Sequence, residues 1–153
     1  MVAAMTGAGK HIPSACLALL ALCACEGELS VPEPPPVADA GFDQLRYLVS
    51  DPLTIALDGR ASCDPMGGGI SDVTWTLVSA PGATPELSPS SLLRARFDAE
   101  LPGEYLLSLV VTSGGRTSEP DYISVRVERG EGEDIVVAPP ATTACGDALP
   151  EDL

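Results

Sequence analysis

The chain is poor in the residue types that carry general-base and covalent chemistry. It contains no Asn, one Lys and one His among 153 residues, and the last two are neighbours, Lys10 and His11. Both lie in an N-terminal segment with the composition of a cleaved signal. Once that segment is removed, the protein lacks imidazole and lysyl amine groups. This excludes His-assisted nucleophiles, His-ligated zinc and a Schiff-base lysine.

Positive charge is also scarce. Eight basic residues face 22 acidic ones, and the formal net charge is −14. Removal of residues 1–24 leaves 7 arginines against the same 22 acidic residues, a formal charge of −15. Binding to nucleic acid or to anionic lipid requires a basic surface. Nucleic acid is therefore excluded as a partner, and any membrane attachment must come from a covalent lipid.

The N-terminal segment has the pattern of an export signal. Residues 12–24 are apolar apart from Ser14 and follow the basic pair. A membrane-spanning helix needs about 20 apolar residues, so this run is too short to be one. A basic patch, a short apolar run and small residues together predict a secretory signal peptide over residues 1–24.

The end of this run, Leu22-Cys23-Ala24-Cys25, resembles the lipobox of bacterial lipoproteins. The resemblance implies cleavage before Cys25, a diacylglycerol on its sulfur and an acylated amino group. More than one acyl chain makes membrane attachment lasting. The implied location is the bacterial cell envelope, with the outer membrane favoured and its periplasmic or surface face left open. The alternative is an ordinary cleaved signal with spare cysteines.

Composition divides the remaining chain into three parts. Residues 25–36 hold the lipidation candidate Cys25 and a Pro-rich tether. Residues 37–128 are predicted to fold, and residues 129–153 to form an acidic, solvated and flexible tail.

Apolar residues alternate with polar ones in the predicted domain. The clearest segments are residues 53–57, 73–77, 105–111 and 123–127, with two shorter candidates at 44–48 and 94–97. Alternation with a period of two is typical of half-buried strands. Turn signals such as Pro81-Gly82 and Pro102-Gly103 separate them. The pattern predicts an all-β, antiparallel, immunoglobulin-like sandwich of about seven strands.

Two aromatic residues fit that sandwich. Trp75 lies in the middle of the third candidate strand, where such folds bury a large ring. Tyr105 follows Pro102-Gly103-Glu104, the place for a tyrosine corner. We interpret both as structural core residues, in preference to exposed rings that stack on a ligand.

Five segments in the right order resemble a PKD-type (polycystic kidney disease) immunoglobulin-like domain: PVADAGFDQ (36–44), LDGRASCDP (57–65), TWTLVSAP (74–81), PGEY (102–105) and LVVT (109–112). The resemblance implies a seven-stranded sandwich that acts as a spacer or interaction module and has no chemistry of its own. Some relatives bind calcium at the sandwich end through acidic side chains. The candidates here are Asp39, Asp43, Asp64 and Asp72, and the alternative is a solvated acidic surface.

Two cysteines, Cys63 and Cys145, remain after cleavage and lipidation. In an exported protein they are expected to pair, and the bridge would draw the tail back over the sandwich end. The alternatives are two free thiols or a bridge to another protein. A catalytic Cys63 is excluded because no His could act as its base.

The sequence favours a non-catalytic, lipid-anchored envelope or surface protein without a cofactor. It would present the sandwich to an unidentified envelope protein or polysaccharide, or serve as a spacer, with residues 66–69 and 81–85 as contact loops. One alternative is a calcium-dependent adhesion or assembly component. A remote alternative is a glycoside hydrolase with paired carboxylates, for which a small sandwich offers little room.

Overall fold

The structure, a computed structural model, describes residues 31–136 and 143–147. The predicted signal peptide and the lipidation candidate Cys25 lie outside these residues. All strands belong to the compact unit that begins at Pro32. Among the described residues, we find no helix with the length and apolar character needed to cross a membrane.

Seven strands form in chain order: β1 (Gln44–Leu48), β2 (Leu53–Asp58), β3 (Asp72–Ser79), β4 (Arg94–Ala99), β5 (Gly103–Ser113), β6 (Arg116–Thr117) and β7 (Asp121–Arg129). One sheet has the order β1-β7-β5-β3, with β6 beside β5, and the other pairs β2 with β4. The predicted all-β sandwich of about seven strands is confirmed.

Alternating burial is what holds the two sheets together. Along β5 every second side chain, from Tyr105 through Val111, is buried against the other sheet. The same period buries Ile55 on β2, Trp75 on β3 and Val125 on β7. Removing this apolar area from water is the main stabilising contribution to the sandwich.

One pairing departs from the predicted antiparallel arrangement. Strand β1 runs parallel to β7, with Gln44 opposite Val125 and Leu48 opposite Arg129. Alternation in the sequence fixes which face of a strand is buried, but it carries no information about the direction of the neighbouring strand. The remaining strand pairs are antiparallel.

The described part of the acidic tail contacts the sandwich instead of being solvated throughout. Ile135 donates to Leu45 O at 2.8 Å and accepts from Leu45 N at 3.0 Å, and Asp134 Oδ1 accepts from Tyr47 N at 2.8 Å. Strand β1 lies at a sheet edge, where unpaired backbone groups need partners. At these positions the tail supplies those partners, while residues 131–136 remain exposed to solvent.

Candidate functional site at the disulfide end

The sandwich has two ends, and strand β5 connects them. This strand contains 11 residues, so it spans about 33 Å. Its last residue, Ser113, hydrogen-bonds Asp64. We call the end with Asp64, Ser113 and the Cys63–Cys145 bridge the disulfide end. The first residue of β5, Gly103, lies against Pro81, and we call that end the corner end.

A buried carboxylate, Asp64, organises the disulfide end. Its Oδ2 accepts hydrogen bonds from Ser113 Oγ at 2.6 Å and from Arg116 Nη2 at 2.7 Å. Its Oδ1 accepts from the backbone N–H of Met66 at 2.9 Å. These bonds, the Ser113 bond foremost, with the Arg116 charge, hold the pKa of Asp64 below its ordinary value. Asp64 therefore stays ionised; its Oδ1 holds the loop that follows it, and its Oδ2 ties that loop to Ser113 and Arg116.

The glycines after Asp64 make this packing possible. A Cβ on Gly68 would lie 2.5 Å from Asp64 Oδ2 and 2.8 Å from Ser113 Oγ. Gly67 has φ of +75°, a conformation that L side chains rarely adopt. The run Gly67-Gly68-Gly69 thus lets the loop pass close over the buried carboxylate.

The Pro-rich tether reaches the sandwich at the same end. Arg116 donates a hydrogen bond to the carbonyl oxygen of Pro34 and lies 3.6 Å from the Glu33 carboxylate. Three residues further along, Val37 pairs with Cys63 through backbone bonds of 2.7 and 2.9 Å. Arg116 therefore contacts the tether with the same guanidinium that binds Asp64.

The predicted disulfide between Cys63 and Cys145 is present. Next to it, Ala144 N donates to Ala61 O at 2.7 Å. The bridge fixes Cys145 at the end where Val37 pairs with Cys63. Both the N-terminal tether and the C-terminal segment therefore reach the sandwich at the disulfide end.

The structure does not assemble the predicted calcium ligands Asp39, Asp43, Asp64 and Asp72. Asp64 is paired with a cation, Arg116. Asp43 Oδ1 accepts from Ser124 N at 2.8 Å, whereas Asp72 Oδ1 accepts from Val73 N and Asp39 Oδ1 from Gly41 N. Within residues 31–136 and 143–147, no three Asp, Glu, Cys or His side chains converge as a metal site requires. Each carboxylate instead holds a nearby loop or strand.

The two predicted core aromatics are buried. Trp75 is 3% exposed, and its Nε1 donates to Leu92 O at 3.0 Å. Tyr105 is 2% exposed, and its hydroxyl donates to Leu101 O at 2.7 Å, the contact of a tyrosine corner. Tyr105 also packs on Phe97, with ring centroids 5.2 Å apart. Neither ring is available to stack on a ligand.

The two loops predicted as contact surfaces lie at opposite ends of the sandwich. Residues 66–69 belong to the disulfide end, where Met66 and Gly67 line a shallow cavity with Cys145 and Asp147. Residues 81–85 lie at the corner end beside Leu101. A single partner would have to span the length of β5 to contact both loops.

The sequence did not identify Ser113 and Arg116 as partners of Asp64. They are 49 and 52 residues away along the chain. Locally, Asp64-Pro65 has the pattern of an ordinary turn. The sequence did contain one indication that Ser113 and Arg116 lie close together. The pair Gly114-Gly115 predicts a tight turn, and this turn returns the chain from Ser113 to Arg116.

Two solved structures have the same architecture as this immunoglobulin-like sandwich. The PKD domain of the KIAA 1837 protein superposes with a TM-score of 0.55 and 23% identity, covering 67% of this chain and 96% of that one. The PKD domain of human KIAA0319 superposes with a TM-score of 0.51 and 16% sequence identity. The alignment covers 71% of this chain and 92% of that one. The chain therefore has the PKD-type fold that the sequence resemblance predicted.

A third structure aligns more weakly. It is a nucleoside hydrolase-related hypothetical protein from Saccharophagus degradans, described as associated with carbohydrate metabolism, with a TM-score of 0.49 and 18% identity. The alignment covers 63% of this chain and only 26% of that protein. No family model matches the chain, and no curated protein matches it.

Proposed function

We propose that this is a non-catalytic, lipid-anchored protein of the bacterial envelope that presents a PKD-type sandwich to a partner. The observation that carries the proposal is the contact of Arg116 with the tether at Glu33 and Pro34. Cys25 is the proposed lipid attachment point, and a tether of eight further residues reaches at most about 29 Å. The tether therefore limits how far the disulfide end can lie from the proposed lipid anchor.

The chemistry of the buried carboxylate supports a non-catalytic role. A general acid or base needs a free oxygen and a pKa near the working pH. Asp64 has a lowered pKa, and its oxygens accept bonds from Ser113, Arg116 and Met66. It serves as a structural anion, and its removal would disturb the loop that it holds.

Lipid attachment is tested by metabolic labelling with an alkyne fatty acid in a bacterial host, followed by membrane fractionation. The wild-type chain should incorporate the label and sediment with membranes. Cys25→Ala should lose the label and leave the membrane fraction or retain its signal peptide. Cys23→Ala is the matched control, because it removes a neighbouring thiol and keeps the proposed modified one. Undiminished labelling of Cys25→Ala would refute the proposal.

A further inference from the structure

Two arginines on one strand form no direct ion pair among the described residues. Five of the 7 arginines form ion pairs: Arg46, Arg60, Arg116, Arg126 and Arg129. Arg94 and Arg96 lie two residues apart on the exposed face of β4, and neither has an ion pair within the described part of the chain. In so acidic a protein, a pair of guanidinium groups outside ion pairs is a local positive surface.

The acidic side chains on the same face are already engaged. Asp58, opposite Arg94 in the β2–β4 pairing, is bound by Arg60 at 2.7 Å. Asp98, two residues after Arg96, accepts a hydrogen bond from Thr54 Oγ1 at 2.7 Å. The charge of Arg94 also acts on Asp58, and Asp98 has no ion pair among the described residues, so these carboxylates offset part of the positive charge. No hydrogen bond within the described part of the chain engages the guanidinium N–H groups of Arg94 and Arg96, which can therefore still donate to an anion from outside the chain.

A groove of about 480 Å³ runs beside these arginines. Its wall includes the Phe42 ring, which is 51% exposed, and Val136, which is 50% exposed. Ser88 and Pro89 also line it. The volume lies in the range of small-ligand sites, and the lining combines apolar surface with a few polar groups, as such sites do.

A buried amide in the groove wall has an unused acceptor. Gln44 is 8% exposed and lines the groove. Its Nε2 donates to Ala56 O at 3.1 Å, while its Oε1 has no hydrogen-bond partner. An unsatisfied buried acceptor is unfavourable, but this oxygen is covered by protein, so a molecule in the groove does not reach it while the side chain keeps this position.

We propose that this groove, formed by Arg94, Arg96, Phe42 and Gln44, binds a carboxylate-bearing polysaccharide. Guanidinium groups bind carboxylates through paired N–H donors, which accounts for the arginines. The apolar face of a sugar ring packs on the exposed Phe42 ring. The inference rests on the proposed function, since it names the class of partner that the displayed sandwich binds.

An acidic peptide would meet the same charges, but the backbone geometry disfavours it. Extended peptides commonly bind by adding a strand to a free sheet edge. Here Ala56 O on β2 is taken by Gln44 Nε2, and Leu45 on β1 is paired with Ile135. Both strand edges beside the groove are thus partly blocked, whereas a polysaccharide needs no backbone pairing.

Binding is measured by fluorescence polarisation with the full chain in detergent and a fluorescent hexagalacturonate. Arg94→Gln and Arg96→Gln should each weaken binding about tenfold, as expected for loss of one charge-assisted bond. Arg126→Gln is the matched control, because it removes the same charge from an exposed strand position outside the groove. It should change the affinity less than about twofold. Phe42→Ala should weaken binding without changing its salt dependence.

Three results would overturn the proposal. The first is no binding of hexagalacturonate by the wild-type chain. The second is an equal loss in Arg126→Gln, which would indicate diffuse attraction. The third is a ligand preference other than the one proposed. Equal binding of the methyl-esterified sugar would indicate recognition of a neutral sugar, and tighter binding of poly-glutamate would indicate recognition of an acidic peptide. Cys25→Ala is assayed alongside: it should bind the sugar normally, so failure of the lipid anchor and failure of the groove are separate outcomes.

Discussion

Removal of the Cys63–Cys145 disulfide should cost the protein a large part of its stability. The bridge joins residues 82 positions apart, so it closes a loop of about 83 residues in the unfolded chain. The loop-entropy relation for that length gives about 15 cal/mol/K, or about 4.5 kcal/mol at 25 °C. A domain of this size has a free energy of unfolding of roughly 5–15 kcal/mol, so the loss is substantial.

The measurement is urea unfolding followed by the fluorescence of the single tryptophan, Trp75. We expect Cys63→Ala/Cys145→Ala to lower the free energy of unfolding by about 2–5 kcal/mol. The slope of unfolding with urea should rise, because the unlinked unfolded chain exposes more surface. Wild-type protein in excess reductant is the control and should behave like the double variant. If the urea slope stays unchanged and the free energy of unfolding falls by less than about 1 kcal/mol, the bridge does not stabilise the protein by constraining the unfolded chain.

Three further changes test the core and the disulfide end. Trp75→Ala should lower the free energy of unfolding by about 3–5 kcal/mol, because it creates a cavity in the core and leaves Leu92 O without its donor. The measurement is urea unfolding followed by circular dichroism, and a loss below about 1 kcal/mol would contradict the burial of Trp75. Tyr105→Phe should lower the free energy by about 1 kcal/mol and Tm by about 4–8 °C, since it removes the bond to Leu101; an unchanged Tm would mean that this bond contributes nothing. Because folding lowers the pKa of Asp64, its ionised form adds stability at neutral pH that is lost as pH falls below its ordinary value of 3.8. Asp64→Asn should thus be less stable at neutral pH and lose less stability on acidification in thermal melts, and a parallel acid profile would contradict the lowered pKa.

The sequence predicted the strands that carry strong alternation. The apolar positions of residues 53–57, 73–77, 105–111 and 123–127 all fall within β2, β3, β5 and β7. Even the shorter candidate at Gln44–Leu48 has the observed bounds of β1. Burial on one face imposes a period of two, and that signal is local. Strand β6, with two residues, is too short to show it.

The long-range partners were not predictable from one sequence. The parallel pairing of β1 with β7 joins residues about 80 positions apart, and the Asp64–Arg116 pair joins residues 52 apart. The groove beside Arg94 and Arg96 also depends on Phe42 and Gln44 from another part of the chain. The disulfide was the one long-range contact that could be predicted, because cysteines are few and the predicted compartment is oxidising.

The common location of the two chain connections has a mechanical consequence. Tension applied between Pro34 and Cys145 passes through the Val37–Cys63 backbone bonds and then through the covalent bridge, so it bypasses β1 to β7. If those two backbone bonds break, the bridge still keeps β3 to β7 outside the loaded path. Residues 64–144 would therefore contribute none of their length to the stretched chain while the disulfide is intact. Such a domain is attached beside the path of the force, and it is poorly suited to act as a spacer that carries force in series.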